Sequence, residues 1–366
     1  MLTENQRLRG LVEGFSPSVS VECAQTPPSS WYTDPAMAEL ERKSVFRQHW
    51  LAVCCLDQLR EPGSYVSGNL AGEPYVVLRD EEGRLRAFYN VCKHHGACIM
   101  EGSGRAKSLT CPYHGWIYGL DGALNKAPQV GAIKDFRRSD FGLKPIKARA
   151  WGPLVFLFLG DGDPPDLEAQ LSPLAERLDE FGGDLIHRHR KVYNLDCNWK
   201  VFSDNYLDGG YHVDTIHPAL ASELNTGGYQ VETFDIFSIQ SCPSSTAADG
   251  RMGNGALYAY VHPNLMLNRY GPVLDVNIVI PQGPDRCLVV FDYLFEDRPE
   301  IDDAFVEDCI ARSHQVQLED VGICASVQRG LKSSAYDKGR YAPGLEHAMH
   351  RFHRQLYRDY MIGLVG

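Results

Sequence analysis

The chain has 366 residues, 44% of them hydrophobic, and a formal net charge of −11 at pH 7. That is apolar material for two domains of ordinary size, and the acidic balance, with no Lys/Arg-rich run, excludes a nucleic-acid footprint. The strongest apolar run, Leu154 to Leu159, is far shorter than the roughly 20 residues of a membrane span, so no membrane association is expected.

No long apolar stretch precedes Phe15 and the N-terminus lacks an Arg- and Ser-rich composition. The expectation is a soluble protein of the cytoplasm, or of a chloroplast stroma if a transit segment has been removed. From about Val45 to Leu159 the short runs SYVSG, PYVVLRD, RLRAFYNV, SLTCPYH and GWIYGL alternate with Gly, Pro and Asp-Gly turns, which predicts an antiparallel β domain over residues 45–160. DGDPPD at 161–166 reads as a linker, and Leu167 to Phe181 has helical spacing. Strands are predicted at Gln230 to Ile239, Ala256 to His262, Leu274 to Val279 and Cys287 to Phe295, then helix from about Ile301 onward. Residues 1–44 and 161–366 are therefore read as a second domain of α+β class. Eleven cysteines fit a reducing compartment, and nine of them lack any paired spacing and read as small buried hydrophobes.

The other two cysteines stand in Cys92-Lys-His94, then sixteen residues, then Cys111-Pro-Tyr-His114-Gly-Trp116. Two thiolates on one iron and two imidazoles on the other are what a Rieske-type [2Fe-2S] cluster requires. A Cys₂His₂ zinc site is the rival. Zinc sites usually pair Cys with Cys and His with His, whereas each loop here contributes one of each, which favours the cluster. Gly96, Gly115 and Gly119 are expected to let the loops approach the sulfides, and Tyr113 and Trp116 to shield them.

Downstream, Asp204, Asp208 and His212 recur at four-residue intervals and would line one face of a helix. His217 precedes Pro218, so the helix is predicted to end between the two histidines, letting both reach one metal. Two His and a distant carboxylate make the facial triad of non-haem Fe(II). Asp320 is the preferred carboxylate, and Glu319 is its runner-up.

In this order the two motifs resemble the catalytic subunits of Rieske non-haem iron oxygenases, over nearly the whole chain. PPSSWYTDP (27–35), NWKVFSDNYLDGGYHV (198–213) and SVQRGLKSSAYDKGRYAP (326–343) are similar to members that oxidise choline. The resemblance implies an α+β fold, with a Rieske antiparallel β domain and a helix-grip catalytic domain whose antiparallel sheet holds a long helix, followed by C-terminal helices. It implies ferredoxin-dependent hydroxylation of a quaternary ammonium substrate by O₂, choline giving betaine aldehyde hydrate for glycine betaine synthesis. Relatives acting on glycine betaine, stachydrine or carnitine make oxidative N-demethylation, with release of formaldehyde, the rival. An electron carrier with an inactive second domain is a further rival, against which His212, His217 and Asp320 argue. Electrons would come from a ferredoxin or reductase, since no dinucleotide fingerprint is present.

The resemblance also implies a homotrimer in which a carboxylate links the cluster of one subunit to the iron of the next. Many relatives carry it three residues before the first His, where this chain has Gly209. Asp208 is the substitute, Asp204 the second choice, and Asn205 is a candidate group beside the iron. Tyr206, Tyr211, Tyr258, Tyr260, Tyr270 and Tyr293 are candidates for an aromatic cage around a trimethylammonium head.

Overall fold

The computed structural model describes residues 3–179, 183–245 and 251–365. The chain forms two compact units, one of Trp50–Pro164 and one of Met1–His49 with Pro165–Gly366. The sequence reading had placed those boundaries at 45 and 160.

The smaller unit is built from ten strands: β1 (Leu51–Cys55), β2 (Ser64–Leu70), β3 (Glu73–Arg79), β4 (Leu85–Tyr89), β5 (Ser103–Arg105), β6 (Leu109–Thr110), β7 (Ile117–Tyr118), β8 (Leu124–Lys126), β9 (Lys147–Trp151) and β10 (Leu154–Phe158). They pair antiparallel in three sheets, ordered β1-β10-β9, β4-β3-β2-β5 and β6-β7-β8. The runs SLTCPYH and GWIYGL contribute only β6 and β7, because residues 111–116, where the two runs meet, form a loop. Val76, Leu78, Phe88, Leu109, Trp116 and Tyr118 make one apolar cluster that also contains Cys92 and Cys111. The two predicted ligand loops are thus anchored by their cysteines in the core of this unit, where each large side chain contributes a few kcal/mol of burial (about 2–3).

The larger unit begins with α1 (Glu4–Val12), α2 (Ser30–Thr33), α3 (Pro35–Lys43) and α4 (Val45–Gln48). After the smaller unit come α5 (Leu167–Asp179) and β11 (Leu185–Leu195); Phe181, the predicted end of α5, lies outside the described residues. Three short helices follow: α6 (Trp199–Tyr206), α7 (Val213–Ile216) and α8 (Pro218–Glu223). Then come β12 (Gln230–Thr233), β13 (Phe237–Pro243), β14 (Gly255–Val261), β15 (Leu265–Tyr270), β16 (Val273–Gly283), β17 (Arg286–Glu296), α9 (Asp303–Leu331) and α10 (His347–Gly363). The seven strands form one antiparallel sheet ordered β11-β17-β16-β15-β14-β13-β12.

Two of these strands escaped the sequence reading. β11, LIHRHRKVYNL, is an edge strand paired only with β17 and too rich in Arg and His to alternate cleanly. β15 follows β14 after three residues and merges with it into one apolar stretch. The predicted run from Gln230 to Ile239 is two strands, separated where the Phe234 N–H turns back to the Phe237 carbonyl at 2.8 Å.

Helix α9 is capped by Asp302, whose side chain accepts from the Phe305 N–H. Its buried residues include Gln317, Asp320, Cys324 and Gln328, a stripe at helical spacing. Gln328 accepts from the Asn198 N–H at 2.8 Å, tying α9 to the cap of α6. The other side of α6 is held by Glu41 of α3, which accepts from Lys200 Nζ, from Trp199 Nε1 at 2.7 Å and from the Tyr360 hydroxyl at 2.8 Å. Removing one member of such a buried charged pair costs about 3–5 kcal/mol. No helix of the described residues is long and apolar enough to cross a membrane.

Candidate metal centres

The two loops of the smaller unit have one backbone design. The Cys92 N–H donates to the Ala97 carbonyl at 2.8 Å and the Gly96 N–H returns to the Cys92 carbonyl at 2.9 Å. The Cys111 N–H donates to the Trp116 carbonyl at 2.8 Å and the Gly115 N–H returns to the Cys111 carbonyl at 3.1 Å. Gly96 and Gly115 both have positive φ, 76° and 68°, a conformation in which a side chain would be strained. Gly119 instead belongs to the β7–β8 turn, donating to the Ala123 carbonyl.

From these matched loops the ring Nδ1 atoms of His94 and His114 approach to 3.1 Å, with both cysteines buried. The Tyr118 hydroxyl accepts from the Lys93 N–H at 3.0 Å and lies 3.3 Å from Cys92 Sγ. His94 stacks on the buried Trp116 ring, centroids 4.8 Å apart, whereas Tyr113 is 65% exposed and shields little. Two imidazole nitrogens that face each other and two buried thiols fit the donor set of a Rieske cluster.

In the larger unit the single helical face expected through Asp204, Asp208 and His212 does not form. Helix α6 ends at Tyr206, and Gly209 and Gly210 take φ of 71° and 76°. A Cβ on Gly209 would stand 2.3 Å from the Leu345 carbonyl oxygen, so glycine is required there. The turn is closed by Asp208. Its Oδ1 accepts from the N–H groups of Gly210 and Tyr211 at 3.0 and 3.2 Å, and its Oδ2 from the His212 N–H at 3.0 Å and from His212 Nδ1 at 2.6 Å. A helix does end between the histidines, but it is the short α7, with His212 before its first turn and His217 after its last.

His212, His217 and Asp320 bring their ligand atoms within 4.8 Å of one another. His217 Nε2 lies 3.1 Å and His212 Nε2 3.9 Å from Asp320 Oδ1. Glu319, the alternative carboxylate, points elsewhere: its Oε2 is bonded to His217 Nδ1 at 2.7 Å. Each imidazole is therefore fixed through Nδ1 by a carboxylate, which turns both Nε2 atoms toward Asp320. Asn205 Nδ2 donates to Asp320 Oδ1 at 2.8 Å. Asp204 does not touch His212; it accepts from the Tyr32 hydroxyl at 2.7 Å and from His353 Nε2 at 2.9 Å. Burial disfavours charge on His217, yet its bonds to Asp320 and Glu319 outweigh this and raise its pKa above the ordinary imidazole range. Three carboxylates around two imidazoles leave a negative surplus, and two imidazoles with one carboxylate are the donor set of a non-haem ferrous site.

His212, His217 and Asp320 open on a cavity of about 120 Å³ whose wall includes Tyr206, Tyr229, Tyr258, Tyr270 and Phe291. Of the six tyrosines singled out in the sequence, Tyr211 is exposed, Tyr260 donates to the Pro263 carbonyl, and Tyr293 lies against Ser313. Tyr229 was missed because its segment carries no strand pattern. The wall also has polar members that sequence spacing could not reveal: Arg251, Asp275, Asn277 and Gln317. Tyr258, Asn268, Asp275 and Tyr293 face one another across β14, β15, β16 and β17. Asp275 Oδ1, Asn277 Oδ1 and Gln317 Nε2 are buried without a hydrogen-bond partner among the described residues. Burial pushes the Asp275 carboxyl up to about 6, against the opposing pull of Tyr270, Arg251 and Ser313.

Residues 49–137 match the Rieske [2Fe-2S] domain, and residues 183–362 match the ring hydroxylating alpha subunit (catalytic domain). The chain is 45% identical over 364 residues to the chloroplastic choline monooxygenase of Arabidopsis thaliana, covering 95% of this chain and 86% of that one. It is 31% identical over 329 residues to the carnitine monooxygenase oxygenase subunit of Acinetobacter baumannii, covering 86% and 87%. A crystal structure of a quaternary ammonium Rieske monooxygenase in complex with L-carnitine superimposes with a TM-score of 0.83 at 28% identity, covering 94% of this chain and 97% of that one. The paired loops, the triad and these matches lead to one conclusion: the chain belongs to the Rieske oxygenases, in which a Rieske [2Fe-2S] domain is joined to a catalytic domain that binds mononuclear iron.

Proposed function

We propose that this oxygenase hydroxylates choline at the carbon bearing the hydroxyl, giving betaine aldehyde hydrate. One atom of O₂ enters that C–H bond, and two electrons with two protons carry the other to water. The observation that carries the reading is the 45% identity to a choline monooxygenase over nearly the full chain, joined to a triad that opens on an aromatic-walled cavity. Aromatic faces attract a trimethylammonium head by about 0.5–2 kcal/mol each.

In this reading Cys92, His94, Cys111 and His114 hold the cluster, and His212, His217 and Asp320 hold the ferrous iron. When bound, the two groups supply single electrons and a coordination site for O₂. The chain's own residues do the positioning. Asp208 and Glu319 fix the two imidazoles by their Nδ1 atoms, Asn205 fixes Asp320, and Tyr118 bonds to the cluster loop at the Lys93 N–H beside the Cys92 thiol. Asp208, bonded to His212, is the carboxylate we assign as the electron bridge to a neighbouring subunit in a homotrimer. A ferredoxin or its reductase is the donor, and residence in a chloroplast stroma would match the plant relative.

Oxidative N-demethylation of a betaine is the second reading, favoured by Arg251 in the cavity wall, a cation that a substrate carboxylate would share with Glu223. The test is turnover of the protein, reconstituted anaerobically with iron and sulfide, using a surrogate ferredoxin system on choline, glycine betaine and L-carnitine. Betaine aldehyde from choline is the expected result. Formaldehyde from a betaine would replace it with the second reading, and no product from any of the three by fully loaded enzyme would sink both.

A further inference from the structure

We propose that Asp275 is the counter-charge that seats the cationic head of the substrate in the cavity. The inference rests on the quaternary ammonium reading above and names the residue that selects for the charge.

Asp275 is 2% exposed and lies on β16 in the sheet wall. One of its oxygens is fully used: Oδ2 accepts from the Tyr270 hydroxyl at 2.8 Å and from Ser313 Oγ at 3.1 Å. The other, Oδ1, has no partner among the described residues. Burying a carboxylate with half its acceptor capacity idle is expensive, and folded proteins normally match such a group with a cation. Arg251 is the cation of the cavity wall, but its Nε and Nη2 both donate to Glu223 Oε2, at 3.2 and 2.8 Å, and its guanidinium lies 4.9 Å from the Tyr270 ring centre.

A quaternary ammonium has no N–H to donate, so a neutral acceptor gains little by facing it. What it can use is a full negative charge among aromatic faces, in a site dry enough to leave the charge unscreened. Asp275 supplies the charge, and the rings of Tyr258, Tyr270 and Phe291 line the same cavity. Asn277 Oδ1 and Gln317 Nε2, an acceptor and a donor that are likewise unpartnered, are left for the polar tail of the substrate. The idle oxygen thus has a stated ligand class: a head group with a fixed positive charge and no hydrogens on nitrogen.

The test uses full-length, metal-loaded enzyme and its Asp275→Asn variant, which keeps the shape and an oxygen for Tyr270 and Ser313. Binding of tetramethylammonium, the head group alone, is measured by calorimetry beside the uncharged 3,3-dimethylbutan-1-ol. Tetramethylammonium should bind about 10- to 100-fold more weakly to the variant, while the alcohol changes less than about threefold. Equal losses for both ligands, or none for the cation, would overturn the assignment. If the variant loses its metals, the wild type alone decides: it must bind tetramethylammonium at least about tenfold more tightly than the alcohol, and equal affinity overturns the proposal. With no electron donor in the calorimeter cell neither probe can be turned over, so failure of choline oxidation would remove the proposed reaction and leave this result standing.

Discussion

Two His–His–Asp groups in the larger unit look alike by composition. His212, His217 and Asp320 bring their ligand atoms within 4.8 Å of one another, and so do His49, His262 and Asp359. They differ in what the remaining atoms do. The Asp359 carboxylate accepts from His49 Nε2 at 3.1 Å, His262 Nε2 at 2.8 Å and Gln355 Nε2 at 3.0 Å, while His262 Nδ1 is buried with no partner. Burial lowers the His262 pKa to about 4 despite the carboxylate, so the imidazole stays neutral and simply donates. In the other group each Nδ1 is held by a carboxylate, and all three residues border a cavity. A metal site is thus marked less by its three donors than by the acceptors behind the imidazoles and the open space in front. The second group is a hydrogen-bonded joint that fastens the residues just after α4 and β14 to α10.

The sharpest way to break this distinction is to remove one member from each group. His217→Ala should lower turnover by at least about a thousandfold and reduce bound iron by about one atom per chain, with the cluster's visible absorption retained. Asp359→Ala should leave the iron content unchanged and lower unfolding stability by about 3–5 kcal/mol in denaturant titration, because it strands buried polar partners. Loss of iron from the second variant would make the two groups equivalent and defeat the argument.

The carboxylate behind His212 allows a finer cut. Asp208→Asn should keep both metals but slow electron delivery about 10- to 100-fold, read by stopped-flow after mixing with reduced ferredoxin. An unchanged rate would leave Asp208 as the fastener of the Gly209–Gly210 turn and nothing more.

Most of the cluster ligands and of the first group were legible in the sequence because their signals are local. Cys92-Lys-His94 and Cys111-Pro-Tyr-His114 announce themselves by spacing, and His217-Pro218 marks a chain break beside a second histidine. Asp320 was reachable only by the chemistry of the triad. What remained hidden depends on tertiary register. Glu319 and Asp320 are neighbours in sequence, and only the placement of α9 against α7 decides that one holds His217 by Nδ1 and the other faces Nε2. Asp275 looked like any polar residue in a strand, since a period-two pattern does not say which row of the sheet borders a cavity. The expected helix through Asp208 failed because two glycines of positive φ outweighed a regular spacing of acidic residues.

Asp275 sharpens the contrast between a closed joint and an open site through its pH dependence. The groups facing it are Tyr270 of β15, Tyr293 of β17, Ser313 of α9 and Arg251. Its carboxyl is raised from 3.8 to about 6 by burial, so the folded state holds a proton more tightly than the unfolded chain does. The resulting penalty is full above pH 6, fades as pH falls and vanishes below pH 3.8, for a total on the order of 3 kcal/mol. Asp275→Asn should therefore stabilise the protein at pH 8 by up to about that amount, with the two stability curves converging near pH 4. A variant less stable at pH 8 would assign Asp275 to the framework instead of the site.

The smallest expected effect is at Glu319. Glu319→Gln preserves length and can still accept from His217 Nδ1, but it removes the charge that makes the imidazole a stronger donor to a cation. Iron affinity, measured by competition with a chelator, should fall about tenfold, with turnover restored by excess ferrous iron. The reverse change in the other group, Gln355→Glu beside Asp359, should do nothing to iron retention at neutral pH, because Asp359 there already takes the Nε2 atoms of both imidazoles. A matching loss of iron from both variants would mean that general electrostatics, not the bond to Nδ1, governs how this chain keeps its metal.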